Sequence, residues 1–327
     1  MEAIVYTKYG SPDVLELKMV EKPSPKENEV LIKVRAASVN PLDWHFMRGT
    51  PYFLRAMSGL SKPKVTRLGV DVSGQVEAVG RNVTQFKVGD EVFGACRGAF
   101  AEYVCAIEDK LVMKPVNISF EDAAAVPIAA ITALQGLRDK GRIQPGNKVL
   151  INGASGGVGT FAVQIAKWFG AEVTGVCSTR NVEMVRSIGA DQVIDYTKED
   201  FTKTGQRYDL FLDCFANNSF MTCRRVLNSK GIYIPVGGPG GSMIGILASL
   251  ITEIVLSLFV RQKFVTFMAK INKEDLIIIR DLIAVGKVKS IIDKRYGLNE
   301  VHEAIRYLEE GHARGKIIII MGHNNKT

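Results

Sequence analysis

Four glycines crowded into the eight residues Asn152 to Gly159 are the part of this chain best equipped for chemistry. In Lys148-Val-Leu-Ile-Asn-Gly-Ala-Ser-Gly-Gly-Val-Gly159 an apolar strand runs into a turn of small residues. A helix pattern from Thr160 to Phe169 follows. Small residues let the backbone come close to a charged group, and the free N–H groups and positive end of a helix attract an anion. The chemistry on offer is the cradling of a pyrophosphate. A glycine pattern alone is weak evidence; the strand before it and the helix after it give it meaning.

The end of the next strand decides which dinucleotide would fit. A site for the non-phosphorylated form places an Asp or Glu about 20 residues past the glycines, on the ribose 2′-hydroxyl. Here the chain reads Val176-Cys-Ser178-Thr-Arg180, with a hydroxyl and a guanidinium and no acid. Such a pair suits a 2′-phosphate, which points to NADPH. A rival reading overlaps the turn. Gly153-Ala-Ser155-Gly-Gly157 also fits the nucleophile elbow of a serine hydrolase, with Asp213 and then His302 or His312 in the right order. That fold needs several strand–helix units before its elbow, and the preceding region reads as all β.

The elements that must position these residues fall into two regimes. Residues 1–115 read as short strands broken by turns: Ala3–Tyr6, Val14–Met19, Glu29–Ala37, Val72–Val79, Glu91–Gly94 and Phe100–Ala106. Residues 120–140 read as one helix closed by Gly141. From 148 strands and helices alternate with short loops, which predicts parallel strands and a doubly wound sheet. The tail predicts a helix over Lys273–Val285, a strand over Lys289–Asp293, a helix over Leu298–Glu310 and a last strand over Lys316–Met321.

The 327 residues carry a formal net charge of +8, which suits an anionic cofactor. No dense Lys/Arg run with interleaved aromatics occurs, so no nucleic-acid partner is expected. The cysteines are Cys96, Cys105, Cys177, Cys214 and Cys223, an odd set with no C-x-x-C pair, so no disulfide framework is indicated. The N-terminal residues lead directly into a strand without a targeting pattern, and a cytoplasmic location is the expectation. Residues 243–260 are apolar with the single charge of Glu253, and Ser249, Glu253, Ser257 and Arg261 recur every fourth position. That is a greasy helix with a narrow polar stripe. Burial against a domain or in a homodimer is the first expectation; peripheral contact with a membrane surface is the second.

Several spaced segments carry a resemblance. They are Tyr9-Gly-Ser-Pro-Asp-Val-Leu15, Val34-Arg-Ala-Ala-Ser-Val-Asn-Pro-Leu-Asp43, Gly69-Val-Asp-Val-Ser-Gly74, Lys87-Val-Gly-Asp-Glu-Val-Phe-Gly94, the glycine turn, Val236-Gly-Gly238 and Gly311-His-Ala-Arg-Gly-Lys316. In this order the chain resembles the zinc-independent quinone oxidoreductases of the medium-chain dehydrogenase/reductase superfamily, the zeta-crystallin-like group. The resemblance implies an α/β fold: a GroES-like β-rich catalytic domain, residues 1–115 and 272–327, around a Rossmann cofactor domain, residues 116–271, with the active cleft between them.

It also implies roles. Asn40 and Asp43 would line the nicotinamide end, and Thr132 would lie near the nicotinamide amide. Ser155, Gly156, Gly157 and Val158 would meet the pyrophosphate. Ser178, Arg180 and Tyr196 would hold the adenosine phosphate, and Val236, Gly237 and Gly238 would pass the nicotinamide ribose. His312, Ala313 and Arg314 would close over the cofactor. Zinc-dependent relatives carry a Cys near Ser38–Asn40 and a Gly-His-Glu motif where this chain has Gly69-Val70-Asp71. No metal is expected, because His45, His302, His312 and His323 have no partner at ligand spacing. The expected substrate is then a small acceptor that is already electrophilic, a quinone or an α,β-unsaturated carbonyl. Asp43, His45 and Tyr52 are candidate hydrogen-bond donors to its developing oxyanion.

Overall fold

A computed structural model of the chain describes residues 1–216, 218–236 and 261–322. They form two compact units. One comprises Met1–Ile128, Ile271–Gly286 and Ser290–Thr327, the other Ala129–Lys270 and Lys287–Lys289.

The first unit is the GroES-like one. Its main sheet runs, in spatial order, Ile292–Gly297, Lys316–Ile320, Glu29–Val39, Asp71–Val79, Glu91–Ala95 and Leu111–Met113, with Tyr103–Ile107 paired to the start of Glu29–Val39. Val30, Ile32, Val34, Phe100, Leu111, Ile317 and Ile319 build its core. Register places Ser38 opposite Asp71 and Ile317 opposite Val39. Side chains alternate faces along a strand. Ser38 and Asn40 therefore share a side, with Asp71 beside them on one neighbouring strand and Lys316 beside them on the other.

Two helices here have no counterpart in the sequence reading. Pro41–Arg48 begins with Pro at its first position and ends at Gly49, whose φ is 61°. Leu54–Ser58 follows it. The helix expected over 120–140 is broken into Phe120–Ala124, Pro127–Gln135 and a π-helical turn Gly136–Lys140. Pro127 supplies the reason, since it has no N–H to continue the earlier ladder. The strand expected at Lys289–Asp293 lies at Ile292–Gly297.

The second unit is a Rossmann sheet. Its strands stand in the order Gln192–Asp195, Glu172–Cys177, Lys148–Asn152, Tyr208–Asp213, Leu227–Pro235, Lys263–Phe264, all parallel. Numbered along the chain this is the doubly wound order, and its switch point falls between Lys148–Asn152 and Tyr208–Asp213. Ligands of such sheets bind outside the carboxyl ends of the strands at that point. Val149, Leu150 and Ile151 are fully buried, as expected of a parallel strand covered on both faces. Among the described residues no helix is long and apolar enough to cross a membrane. The apolar run 243–260 lies outside the described residues, as do Gly237, Gly238 and His323.

Candidate functional site

In the second unit the strand Lys148–Asn152 delivers the chain to Gly153, whose φ of 73° is open to glycine but strained for other residues. The helix Gly157–Trp168 starts immediately after the turn. Its first hydrogen bond from within the helix is Thr160 N–H to Gly156 O at 3.0 Å. The N–H groups of Gly157, Val158 and Gly159 precede it, the donors a helix start leaves for an anion. Gly159 lets the helix close on the turn: a Cβ there would lie 2.1 Å from Gly153 O and 2.8 Å from Ala154 Cα. At Gly156 a Cβ would meet only Gly153 O, at 3.4 Å. The turn is therefore tight beneath and open above, a shape that fits a pyrophosphate.

Asp213, fully buried at the end of its strand, ties the strand ends together. Its Oδ1 accepts from Asn152 Nδ2 at 2.8 Å, Phe215 N at 3.1 Å and Ala216 N at 2.8 Å, and its Oδ2 from the Tyr233 hydroxyl at 2.9 Å. Val236 N–H reaches Asp213 O at 2.8 Å. The hydrolase reading gains nothing from this arrangement. Asp213 is spent on organising the strand ends, and Ser155 Oγ accepts from Asn181 Nδ2 at 3.0 Å.

At the next strand ends, Ser178 is half-buried, and Arg180 and Tyr196 are exposed. Tyr196 N–H bonds Cys177 O at 3.0 Å, which sets Tyr196 beside Ser178. Two residues went unnoticed in the sequence. Asn181 is 4% exposed and bridges Ser155 to Ser178, reaching Ser178 Oγ at 3.2 Å. Its Oδ1 is buried with no hydrogen-bond partner, an acceptor the fold itself does not use. Asp195 places an acid beside the carboxyl end of the strand Glu172–Cys177, which has none there, since register sets it opposite Cys177. It accepts from Thr179 Oγ1 at 2.5 Å, Thr197 N at 3.0 Å and Thr197 Oγ1 at 2.7 Å. These bonds, that of Thr179 foremost, hold its carboxyl down to about 2. Thr132 is buried, at 9% exposure.

In the first unit Asn40 and Asp43 are buried at 2% and 1% exposure. Asp43 Oδ2 accepts from Asn40 N at 2.8 Å and its Oδ1 from Gly69 N at 2.9 Å. Asn40 Nδ2 donates to Asp71 Oδ2 at 2.9 Å and to Ser38 O at 3.3 Å. His45 is half-buried and stacks on Trp44 with centroids 3.7 Å apart. Its Nδ1 lies 2.8 Å from Thr50 O, and a carbonyl only accepts, so Nδ1 carries the proton. Burial holds His45 below the usual imidazole range, and the neutral ring presents Nε2 as an acceptor.

The donor set read from sequence is thereby corrected. Asp43 is engaged as an acceptor and neutral His45 has no second N–H; beside them Asn40, expected to line the nicotinamide end, has both amide hydrogens taken. Tyr52 remains, 66% exposed, with the Arg55 guanidinium 4.8 Å from its ring centroid. In the tail His312 and Arg314 are exposed and Ala313 half-buried; Arg314 N–H bonds Asp293 Oδ2 at 2.9 Å. Among the described residues no group of three His, Cys, Asp or Glu side chains is placed to hold a metal.

Comparison with known proteins gives this geometry its context. Residues 26–116 match the family model described as alcohol dehydrogenase GroES-like domain, and residues 188–319 the one described as zinc-binding dehydrogenase. The chain is 34% identical over 333 residues to the chloroplast envelope quinone oxidoreductase homolog of Arabidopsis thaliana, covering 98% of each. It belongs to the zinc-independent quinone oxidoreductase family of the medium-chain dehydrogenase/reductase superfamily. A second relative is the 2-methylene-furan-3-one reductase of Solanum lycopersicum. It is 36% identical over 335 residues, at 98% of this chain and 79% of its own. The solved structure of Escherichia coli quinone oxidoreductase complexed with NADPH aligns at a TM-score of 0.85 and 26% identity, covering 98% of this chain and 100% of that one.

The cytoplasmic expectation is overturned by the same relatives. The Arabidopsis protein is named for the chloroplast envelope. The NAD(P)H oxidoreductase RTN4IP1 of Bos taurus, 34% identical over 359 residues at 98% of this chain and 89% of its own, is named mitochondrial. These relatives point to an organelle. The expectation rested on the pattern of the N-terminal residues alone, from which no location follows.

Proposed function

We propose that this family member is an NADPH-dependent reductase that delivers hydride to a quinone or an α,β-unsaturated carbonyl without zinc. The carrying observation is the turn at Gly153–Gly159, closed beneath by Gly159 and open above Gly156. The names of the relatives support the acceptor class: a quinone oxidoreductase, a 2-methylene-furan-3-one reductase and an NADPH-dependent alkenal/one oxidoreductase. Ser178, Arg180 and Tyr196 support the phosphorylated cofactor over NADH.

In this reading Ser155, Gly156, Gly157 and Val158 bind the pyrophosphate. Asn181 accepts from a ribose hydroxyl, and Arg180 pairs with the 2′-phosphate. Thr132, Val236, Gly237, Gly238, His312, Ala313 and Arg314 serve the nicotinamide half. The nicotinamide, when bound, supplies the hydride. The acceptor needs no Lewis acid because its own conjugation makes its carbon electrophilic; the protein orients it and stabilises the oxyanion. Tyr52 is the donor to that oxygen, and solvent completes protonation. Asn40 and Asp43 act by holding the segment that leads to Tyr52. The first compact unit, in which 1–115 and most of 272–327 lie together with 116–128, serves as the catalytic domain, and the second, Ala129–Lys270 with Lys287–Lys289, as the cofactor domain. The apolar run 243–260 supports a homodimer; a membrane surface is the other partner it would suit.

The test is NADPH oxidation against a panel of quinones and enones, with calorimetric binding alongside. Turnover of members of either class with NADPH is expected. Binding without turnover of any acceptor would remove the catalytic claim, and no heat with either nicotinamide cofactor would remove the whole reading.

A further inference from the structure

Lys316 is a lysine with 3% of its surface exposed, at the edge of a sheet core. A buried ammonium persists only when its charge and hydrogens are matched. Its Nζ donates to Asn40 Oδ1 at 2.6 Å and lies 3.4 Å from both Asp71 Oδ2 and Val39 O. Three hydrogens face three acceptors, so none is left for a ligand. Asp71 is fully buried and equally engaged. Its Oδ2 also accepts from Ser38 Oγ at 2.7 Å and Asn40 Nδ2 at 2.9 Å, and its Oδ1 from Ile128 N at 3.0 Å.

The Asn40 amide is thus held between an ammonium at its oxygen and a carboxylate at its nitrogen. Turned over, it would set its NH₂ against the ammonium and its oxygen against the carboxylate, and two attractions would become two repulsions. One orientation is imposed by charge, where a neutral surrounding would leave the amide free to choose. Asn40 N–H in turn bonds Asp43, which also takes Gly69 N–H. The start of the helix Pro41–Arg48 is fixed by this chain of contacts, and that helix leads through Gly49 to Tyr52.

We propose that Lys316 is a positioning residue: with Asp71 it locks Asn40 in one orientation and, through Asn40 and Asp43, sets the segment that carries Tyr52. The proposal rests on the reductase reading above. A bare structural role would ask only that the buried charges cancel, and a neutral pair would serve as well. Positioning asks for the ammonium itself.

The experiment compares the full-length wild type with Lys316→Met/Asp71→Asn and Lys316→Ala. The readouts are thermal unfolding, NADPH affinity by calorimetry, and kcat and KM with an acceptor the wild type reduces. The double variant leaves Asn40 Oδ1 without its donor, so it should melt below wild type yet stay folded at the assay temperature, and it should keep NADPH affinity, whose pyrophosphate and adenosine contacts lie in the other unit, within about threefold. Its kcat should fall by about tenfold to a hundredfold, the scale of an ångström-level misplacement. Methylammonium should restore activity to Lys316→Ala, and raise its melting temperature, where sodium at equal ionic strength does neither. A double variant with wild-type kcat would overturn the proposal, as would a Lys316→Ala enzyme indifferent to methylammonium. If the double variant does not fold, the methylammonium dependence of kcat in Lys316→Ala, measured below its melting temperature, decides alone. A wild type that binds NADPH and reduces nothing sinks the reductase reading instead, and the melts still report on the clamp.

Discussion

Replacing Gly156 with alanine separates the needs of the fold from the needs of the cofactor. Gly156 caps the helix Gly157–Trp168 with φ −85° and ψ 179°, a conformation any residue adopts. An added Cβ would find one neighbour, Gly153 O, at 3.4 Å, which is ordinary contact. The free protein should therefore accept the methyl group, losing no more than about 1 kcal/mol because alanine caps a helix less well than glycine. The bound state should not. The methyl projects into the open space beside the N–H groups of Gly157 and Val158, where a pyrophosphate oxygen must approach to about 2.8 Å. Losing one charge-assisted hydrogen bond costs about 1.5–3 kcal/mol, a rise in Kd of about tenfold to 150-fold. NADPH and NADH share the pyrophosphate, so both should weaken together. Calorimetric titration with each cofactor, beside a thermal melt, measures this directly. An unchanged melt with an unchanged Kd would mean that the phosphates do not rest on this turn.

Gly159→Ala should do the opposite of sparing the fold. Its Cβ would press on backbone at 2.1 and 2.8 Å, and overpacking of that kind costs about 1–3 kcal/mol, so melt and affinity should drop together. Arg180→Ala should weaken NADPH by about tenfold and leave NADH unchanged, in the same titrations; equal losses would refute a 2′-phosphate contact. Asp43 predicts a pH effect. Burial pushes its carboxyl up from 3.8 to about 7, against the pull of the Asn40 and Gly69 N–H groups. The folded value lies above the unfolded one, so its contribution to stability is full below 3.8 and is lost as pH rises through about 7. Urea unfolding at stepped pH should show wild type losing stability across that window relative to Asp43→Asn, and parallel curves would refute the burial argument.

The Rossmann unit was legible because its signals are local. Apolar strands, the glycines of one turn and the alternation of elements all lie within a few residues of what they specify. The GroES-like unit was legible as short strands, but its polar centre was not. Lys316 and Asn40 stand 276 residues apart in the chain, and only the pairing of Lys316–Ile320 with Glu29–Val39 brings them together. The helix Pro41–Arg48 did announce itself, through Asn40, Pro41 and Asp43 at cap, first and third positions. It was missed because eight residues offer too few turns for a period to stand out. The acid at the adenosine end was missed for the same reason as Lys316. Asp195 reaches Thr179 from the neighbouring strand, and a search along one strand does not see across a ladder.

The donor set failed for a subtler reason. Sequence fixes what a side chain is able to donate or accept, but its spare capacity depends on neighbours. Asp43, His45 and Tyr52 looked alike as donors because they lie close together in the chain, just past Asn40, which the resemblance placed at the nicotinamide end. The structure separates them by what is already spent: two amide hydrogens at Asn40, both carboxylate oxygens at Asp43, one ring N–H at His45. The groups richest in chemistry are the ones burial forces into internal bonds, because an unmatched polar atom there costs more than it returns. A donor meant for a ligand must be spared that fate, and the exposure of Tyr52 meets the condition. The same argument makes Lys316 a holder of other groups and not a donor to substrate, which is why its removal should show in kcat while NADPH affinity stays.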